Sequence, residues 1–274
     1  MAKRWSARPR LDCFWPAGLV AVSACGGSHE APRVDVPVVV ESGGMAPIQT
    51  NLGYAVELSD ARLALEDLEF AIAGEAHSSL WQRVSDLLVP VAHAHPGHYQ
   101  GGEITGELPG HFILDWLTST PPAPLGMANL IVGNYQSVNF TFAHGEETDG
   151  LASDDPLLGH TAVLRGQAAR DGQVVSFEAR VDAFPDRQLV GAPFEAEVRV
   201  DSSATISVEL LLVDPLEGGT LLDDIDFQAL PADANGVVKL SPGSSEPPLA
   251  EAYDGLRRTL QTHDHFKIRV EDGN

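Results

Sequence analysis

The chain has 274 residues, 43% of them hydrophobic, and its 17 Lys and Arg against 39 Asp and Glu give a formal net charge of −22. A surface this acidic excludes nucleic acid and anionic lipid as direct partners and raises the local concentration of cations. The two cysteines, Cys13 and Cys25, are too few for a disulfide framework or an all-thiolate metal site.

The first ten residues carry Lys3, Arg4, Arg8 and Arg10 and no acid; the apolar run Cys13–Val22 follows and ends in Val22-Ser23-Ala24-Cys25-Gly26. A basic start, a short apolar core and small residues ahead of a cut make a secretory signal, here interrupted by Asp12 and Pro16. The cysteine directly after Val-Ser-Ala resembles the lipobox of bacterial lipoproteins. That resemblance implies removal of residues 1–24, lipid attachment at Cys25 and an extracytoplasmic protein held to the membrane by its N-terminal lipid alone. Gly26 points to the outer membrane, on its periplasmic or its surface side. The mature chain would then hold 13 basic residues against 38 acidic, a net −25, and no free thiol. No later stretch is apolar for long enough to cross a bilayer as a helix.

Residues 25–33 read as a tether and residues 34–274 as one domain. Val34–Glu41 is β-rich, with Pro37 suggesting an edge strand. Tyr54–Leu58 leads into Ala61–Ile72, where apolar residues alternate at 63 and 65 and again at 68, 70 and 72. The one-residue slip at Glu66-Asp67 predicts a β-bulge, with a helix as the competing reading of the segment because Leu, Ala and Glu favour one. Leu80–Leu88 has helical spacing. Glu103–Leu108 and His111–Leu117 read as two arms of a hairpin, Pro121–Pro124 as a stiff loop, and Ile131–Phe142 as a strand. His144–His160 is an acidic excursion. Val163–Ala169, Val174–Ala183, Phe194–Val200 and Ile206–Val213 are strands, with an Asp171-Gly172 hairpin turn between the first two. Leu249, Ala252, Tyr253, Leu256 and Leu260 keep helical spacing, and His265–Val270 is the last strand. These elements predict an all-β, antiparallel β-sandwich with one or two short peripheral helices.

Three of the ten histidines fall within six residues, in His93-Ala94-His95-Pro96-Gly97-His98. Two imidazoles at i, i+2 leave the same face of an extended segment, and the Pro-Gly turn would bring the third back to it. Three ligands from one short stretch cost little loop closure, and imidazole without thiolate suits copper first and zinc second. His93, His95 and His98 are therefore the expected metal ligands. His111 would complete the set by returning along the hairpin. His144 with His160, at the two ends of the acidic loop, and His263 with His265, on one strand face, are further metal-ligand pairs. The carboxylates of the acidic loop lack the Asp-x-Asp-x-Asp-Gly order of an EF-hand, and solvated acids are the plainer reading.

Enzyme templates do not match. His93-Ala94-His95 is similar to the first cupin motif, but Glu103 lies too far beyond it. The metallo-β-lactamase histidine run needs Asp where Gly97 stands. HExxH, GxSxG, P-loop and GxGxxG patterns do not occur. Glu103, Glu107 and Asp115 are the nearest acids for a metalloenzyme. An alternative of another kind is a metal-free β-sandwich module for adhesion, glycan binding or scaffolding in the cell envelope.

Tyr54–Phe70, Gly133-Asn134-Tyr135 leading into Val138-Asn139-Phe140, Asp155-Pro156-Leu157 and Asp224-Ile225-Asp226-Phe227 together resemble the MbnP-like periplasmic copper-binding proteins. The resemblance implies a β-sandwich that binds copper through histidines, sometimes beside an oxidised tryptophan, with a dihaem redox enzyme as partner. This chain departs from the family: its mature part lacks the four cysteines, and Gly159–Leu164 replaces the Trp-rich hairpin. Trp81 and Trp116 are the mature tryptophans, and apolar packing is the default for both.

Overall fold

In the computed structural model the described residues are 31–41, 46–72, 103–117, 122–184, 187–201 and 203–271. The longest strand, β3 (Ala55–Ile72), organises the rest. Its first half pairs with β7 (Ala162–Arg170) and the short β2 (Ile48–Gln49), its second half with β4 (Glu103–Asp115) and β6 (Gly133–Phe142). At Ala64 one partner hands over to the other: its N–H bonds to Thr161 and its carbonyl accepts from Ala143. The acidic loop springs from that fork.

The sheet runs β11-β8-β7-β3-β4-β5-β1-β10-β12, with β6 linking β3 to β9. Here β1 is Arg33–Val40, β5 Ala123–Ile131, β8 Gln173–Val181, β9 Gln188–Val198, β10 Thr205–Leu210, β11 Val237–Leu240 and β12 Phe266–Glu271. All pairings are antiparallel except β1 with β10 and β11 with β8, two exceptions to the wholly antiparallel expectation. Both bring together strands far apart in sequence, as parallel pairing requires. Beneath β3, β6 and β9 lie Phe70, Tyr135 and Phe194, whose rings meet edge-on or tilted at 5.6–6.4 Å. Helix α1 (Pro247–Leu260) packs on β8 and β11. It buries Leu249, Tyr253, Leu256 and Leu260, the stripe read from the sequence, and opens on Pro247-Pro248, whose absent N–H groups cost nothing in a first turn.

The slip in β3 is a bulge. Glu66 and Asp67 both face solvent, Asp67 takes φ 49°, and Leu68 resumes the inward face. The Asp67 carboxylate accepts the Gly110 N–H at 2.9 Å, so the opposing irregularity in β4 is fastened to it. Asp171 and Gly172 take φ 53° and 76°, the conformation of the predicted two-residue turn. Other expectations change. Pro37 lies on β1, which is paired on both sides. It is tolerated because the β10 ladder begins only at Val38, where no Pro N–H is asked for. Pro124 belongs to β5, not to a loop, and Glu103–Asp115 is one strand, not a hairpin. Leu80–Leu88 lies outside the described residues.

Candidate functional site

The fork at Ala64 gathers His111, His144 and His160. Gly145 N donates to the His160 carbonyl (2.9 Å) and Gly159 N to the Gly145 carbonyl (2.8 Å), so the backbones at the two ends of the acidic loop meet, as the sequence suggested. His111 stands on β4 opposite Glu66. Its Nδ1 is 2.8 Å from Asp149 Oδ1 and its Nε2 3.1 Å from the His144 carbonyl. Both ring nitrogens thus face oxygens of the fold, and His111 would have to give up one of these contacts to ligate a metal. Nor does it sit on a returning arm: it lies eight residues past Glu103 on one strand, a rise of roughly 25 Å.

The loop itself is pinned by charge. Arg62 grips Asp60 through Nε (2.8 Å) and reaches Asp155 through Nη1 (2.9 Å), with all three side chains largely covered. Burial alone would raise the Asp155 carboxyl, but the Arg62 guanidinium and the Leu157 N–H hold it below the usual range. Asp149 accepts Glu146 N in a capping box around the 3₁₀ turn Glu147–Asp149. Three of the loop's five carboxylates, Asp149, Asp155 and Glu146, which accepts from the Thr148 hydroxyl, are therefore committed to holding the loop. That is structural work, not the shell of a bound calcium.

His160 Nδ1 is 2.7 Å from Asp182 Oδ1, a carboxylate–imidazole arrangement that orients Nε2. The ring borders a cavity of about 250 Å³ together with Glu178, Arg180, Lys239 and Ser241. His263 and His265 do not share a strand face. They form a 3₁₀ turn ahead of β12, in which His265 is buried with Nδ1 2.8 Å from the Leu211 carbonyl and His263 Nδ1 lies 3.2 Å from Asp264. Successive positions of that turn rotate by about 120°, so i and i+2 point apart. Among the described residues no three His, Cys, Asp or Glu side chains are placed to hold a metal ion. His93, His95 and His98, and Cys25, lie outside the described residues.

Trp116 is buried, packs on Phe266 and donates Nε1 to the Val208 carbonyl (3.3 Å), the packing role expected of it. Two constellations escaped the sequence reading. One is the Arg62–Asp60–Asp155 tie, legible only once Asp155 is known to fold back onto β3. The other is a pair of glutamates, Glu41 and Glu209, set side by side by the parallel register of β1 and β10.

No family model matches the chain, and none of the curated proteins does. Among solved structures the chain is similar to one described as MbnP from Methylosinus trichosporium, at 11% identity and a TM-score of 0.37, with 88% of this chain and 99% of that chain covered.

Proposed function

We propose that the chain is an extracytoplasmic, lipid-anchored metal-binding β-sandwich protein that takes copper, with zinc as the alternative, through His93, His95 and His98. The carrying observation is the spacing of those three imidazoles around a Pro-Gly turn. Of the other described histidines, His111 has both ring nitrogens against oxygens of the fold, while His160, His263 and His265 each have Nδ1 so placed and keep Nε2, which leaves them as further ligand candidates. The acidic surface adds a general attraction for cations. The MbnP-like resemblance adds a redox partner enzyme to this reading, and Cys25 the outer-membrane anchor.

Titration of the purified protein with Cu(II) and Zn(II) between pH 5 and 8 tests it, alongside a His93→Ala/His95→Ala/His98→Ala variant. Binding weakens as pH falls, because imidazole must be deprotonated to ligate, and the variant loses it by at least tenfold. Equal binding by both overturns the assignment to His93, His95 and His98 and places the metal on other residues. Binding by neither protein leaves the second reading: an anchored, metal-free β-sandwich module. That reading draws on the same histidine contacts, which then serve only to fasten the loops.

A further inference from the structure

The outer face of β10 is polar and yet covered. Ile206, Val208 and Leu210 point into the core, and the alternate residues Ser207 and Glu209 should be wet, but they are 2% and 3% exposed. The parallel register sets Val39 beside Ser207 and Val40 beside Val208, which puts Glu41 beside Glu209. Glu41 N donates to the Val208 carbonyl at 3.1 Å, fixing that position. On the other side β12 sets Arg269 opposite Ser207 and Lys267 opposite Glu209. Neighbouring strands lie about 4.8 Å apart, so the two carboxylates are within reach of each other.

Among the described residues, four atoms of this patch are buried without a hydrogen-bond partner: Glu41 Oε2, Glu209 Oε2, Ser207 Oγ and Arg269 Nε. Arg269 Nη2 comes within 2.7 Å of Glu209 Oε2, an ion pair whose angles do not make a hydrogen bond. Buried polar atoms nearly always have partners, so several orphans on three adjacent strands ask for a common cause. Charge narrows it. Two carboxylates beside one guanidinium carry one negative charge too many for a covered site, while Lys267 is exposed and screened by water. One proton restores neutrality and joins the two orphaned oxygens. A divalent cation would leave the opposite imbalance, beside Arg269.

We propose that Glu41 and Glu209 hold one proton between them, and that this carboxyl–carboxylate hydrogen bond clips β1 to β10 and opens when the proton is lost. Burial pushes the Glu209 carboxyl up from its ordinary value, and the Glu41 charge adds to that. Arg269 and Lys267, the other charged groups facing it, oppose. The sign is fixed by linkage. A carboxyl whose proton is held more tightly in the folded chain costs nothing below its unfolded value of 4.5, and costs stability as pH climbs above it and through the folded value.

The test is thermal unfolding of the full chain from pH 5 to 9 with Glu209→Gln and Glu41→Gln, plus deuterium uptake of peptides spanning residues 33–41 and 205–210. In each variant the amide N–H₂ supplies the missing donor at every pH. The wild-type Tm should fall by about 3 °C more than that of either variant over this range. Wild-type uptake in those two peptides should rise with pH, while the variants stay flat. If Glu209→Gln does not fold, Glu41→Gln, at the less buried position, makes the same comparison. Parallel pH profiles in all three proteins overturn the proposal. So does a wild-type Tm that rises with 1 mM Ca²⁺ and falls with EDTA while the variants respond to neither, since a cation would then hold the pair. The clip shares no residue with the histidine run, so neither result bears on metal binding.

Discussion

At the scale of single residues, several of the described histidines and arginines stand against carboxylates. Arg62 is the strongest instance: two partners, Asp60 and Asp155, on a side chain only 15% exposed. Removing one member of such a set leaves the others covered and unpaired, which costs more than the pair contributes. Arg62→Ala should therefore destabilise the protein by about 2–3 kcal/mol in urea unfolding, and proteolysis should quicken within residues 144–160. Asp155→Asn, which keeps a hydrogen-bonding side chain in place, should cost about half as much. Equal stability of wild type and Arg62→Ala would mean that backbone bonds such as Gly145 N to His160 O hold the loop unaided. The tyrosines follow the same economy of partners. Tyr54 donates to Asp226 and accepts from Gln228 N, with the Arg170 guanidinium 4.2 Å over its ring. Two segments that carried the family resemblance, around Tyr54 and around Phe227, thereby meet in space, their rings 5.4 Å apart.

At the scale of elements, β3 decides what the sequence could reveal. Its bulge was legible because an irregularity of one residue flips side-chain parity, and Leu65-Glu66-Asp67-Leu68 records that flip directly. The helix stripe and the Asp171-Gly172 turn were legible for the same reason, being local chemistry. Strand β5 was not: Pro124, Gly126 and Asn129 belong to loops by propensity, and pairing with β1, joined at Asn129 by β4, makes them a strand. His263-Asp264-His265 misled because alternation was extended one turn too early, into a 3₁₀ segment. The loop fork was half legible, through the spacing of His144 and His160, while the neighbour at Glu41 and Glu209 comes from a parallel pairing about 170 residues apart, which no local pattern encodes. Close approach along β3 gives a sharp test of this packing. A Cβ on Gly166 would lie 2.2 Å from the Glu57 carbonyl oxygen, where β7 meets the irregularity of β3 between Leu58 and Asp60. Because the obstacle is backbone, Gly166→Ala should lose roughly 3 kcal/mol or fail to fold, measured by denaturant midpoint. Gly172→Ala, with open space around its Cβ, meets only the penalty of its positive φ, about 1 kcal/mol.

At the scale of the whole molecule, the acidic excess is managed from two sides, and pH should expose both. Burial alone would raise the carboxyls of Glu178 and Asp223, yet Arg180 and Arg165 hold the first below its usual range, and the Thr220 hydroxyl and N–H hold the second. The Tyr54 hydroxyl does the same for Asp226, and the Val237 N–H, Lys239 and the Asn235 N–H bring Asp233 down to about 2. A carboxylate whose folded value lies below its unfolded one contributes stability that is fully present above the unfolded value, 3.8 for these aspartates and 4.5 for Glu178. That contribution is lost as pH falls through the folded value. With Asp155 these groups all act in the same direction, so the Tm in 0.15 M salt should fall by roughly 10 °C between pH 5 and 3. Glu209 acts in the opposite direction and trims stability as pH rises above 4.5 and through its raised folded value. The Tm profile should accordingly be a dome with two separable limbs: Asp155→Asn flattens part of the low-pH limb and leaves the high-pH one, and Glu209→Gln does the reverse. A profile unchanged to pH 3, or one in which both substitutions alter the same limb, would show that these carboxylates are no better held in the folded chain than in the unfolded one.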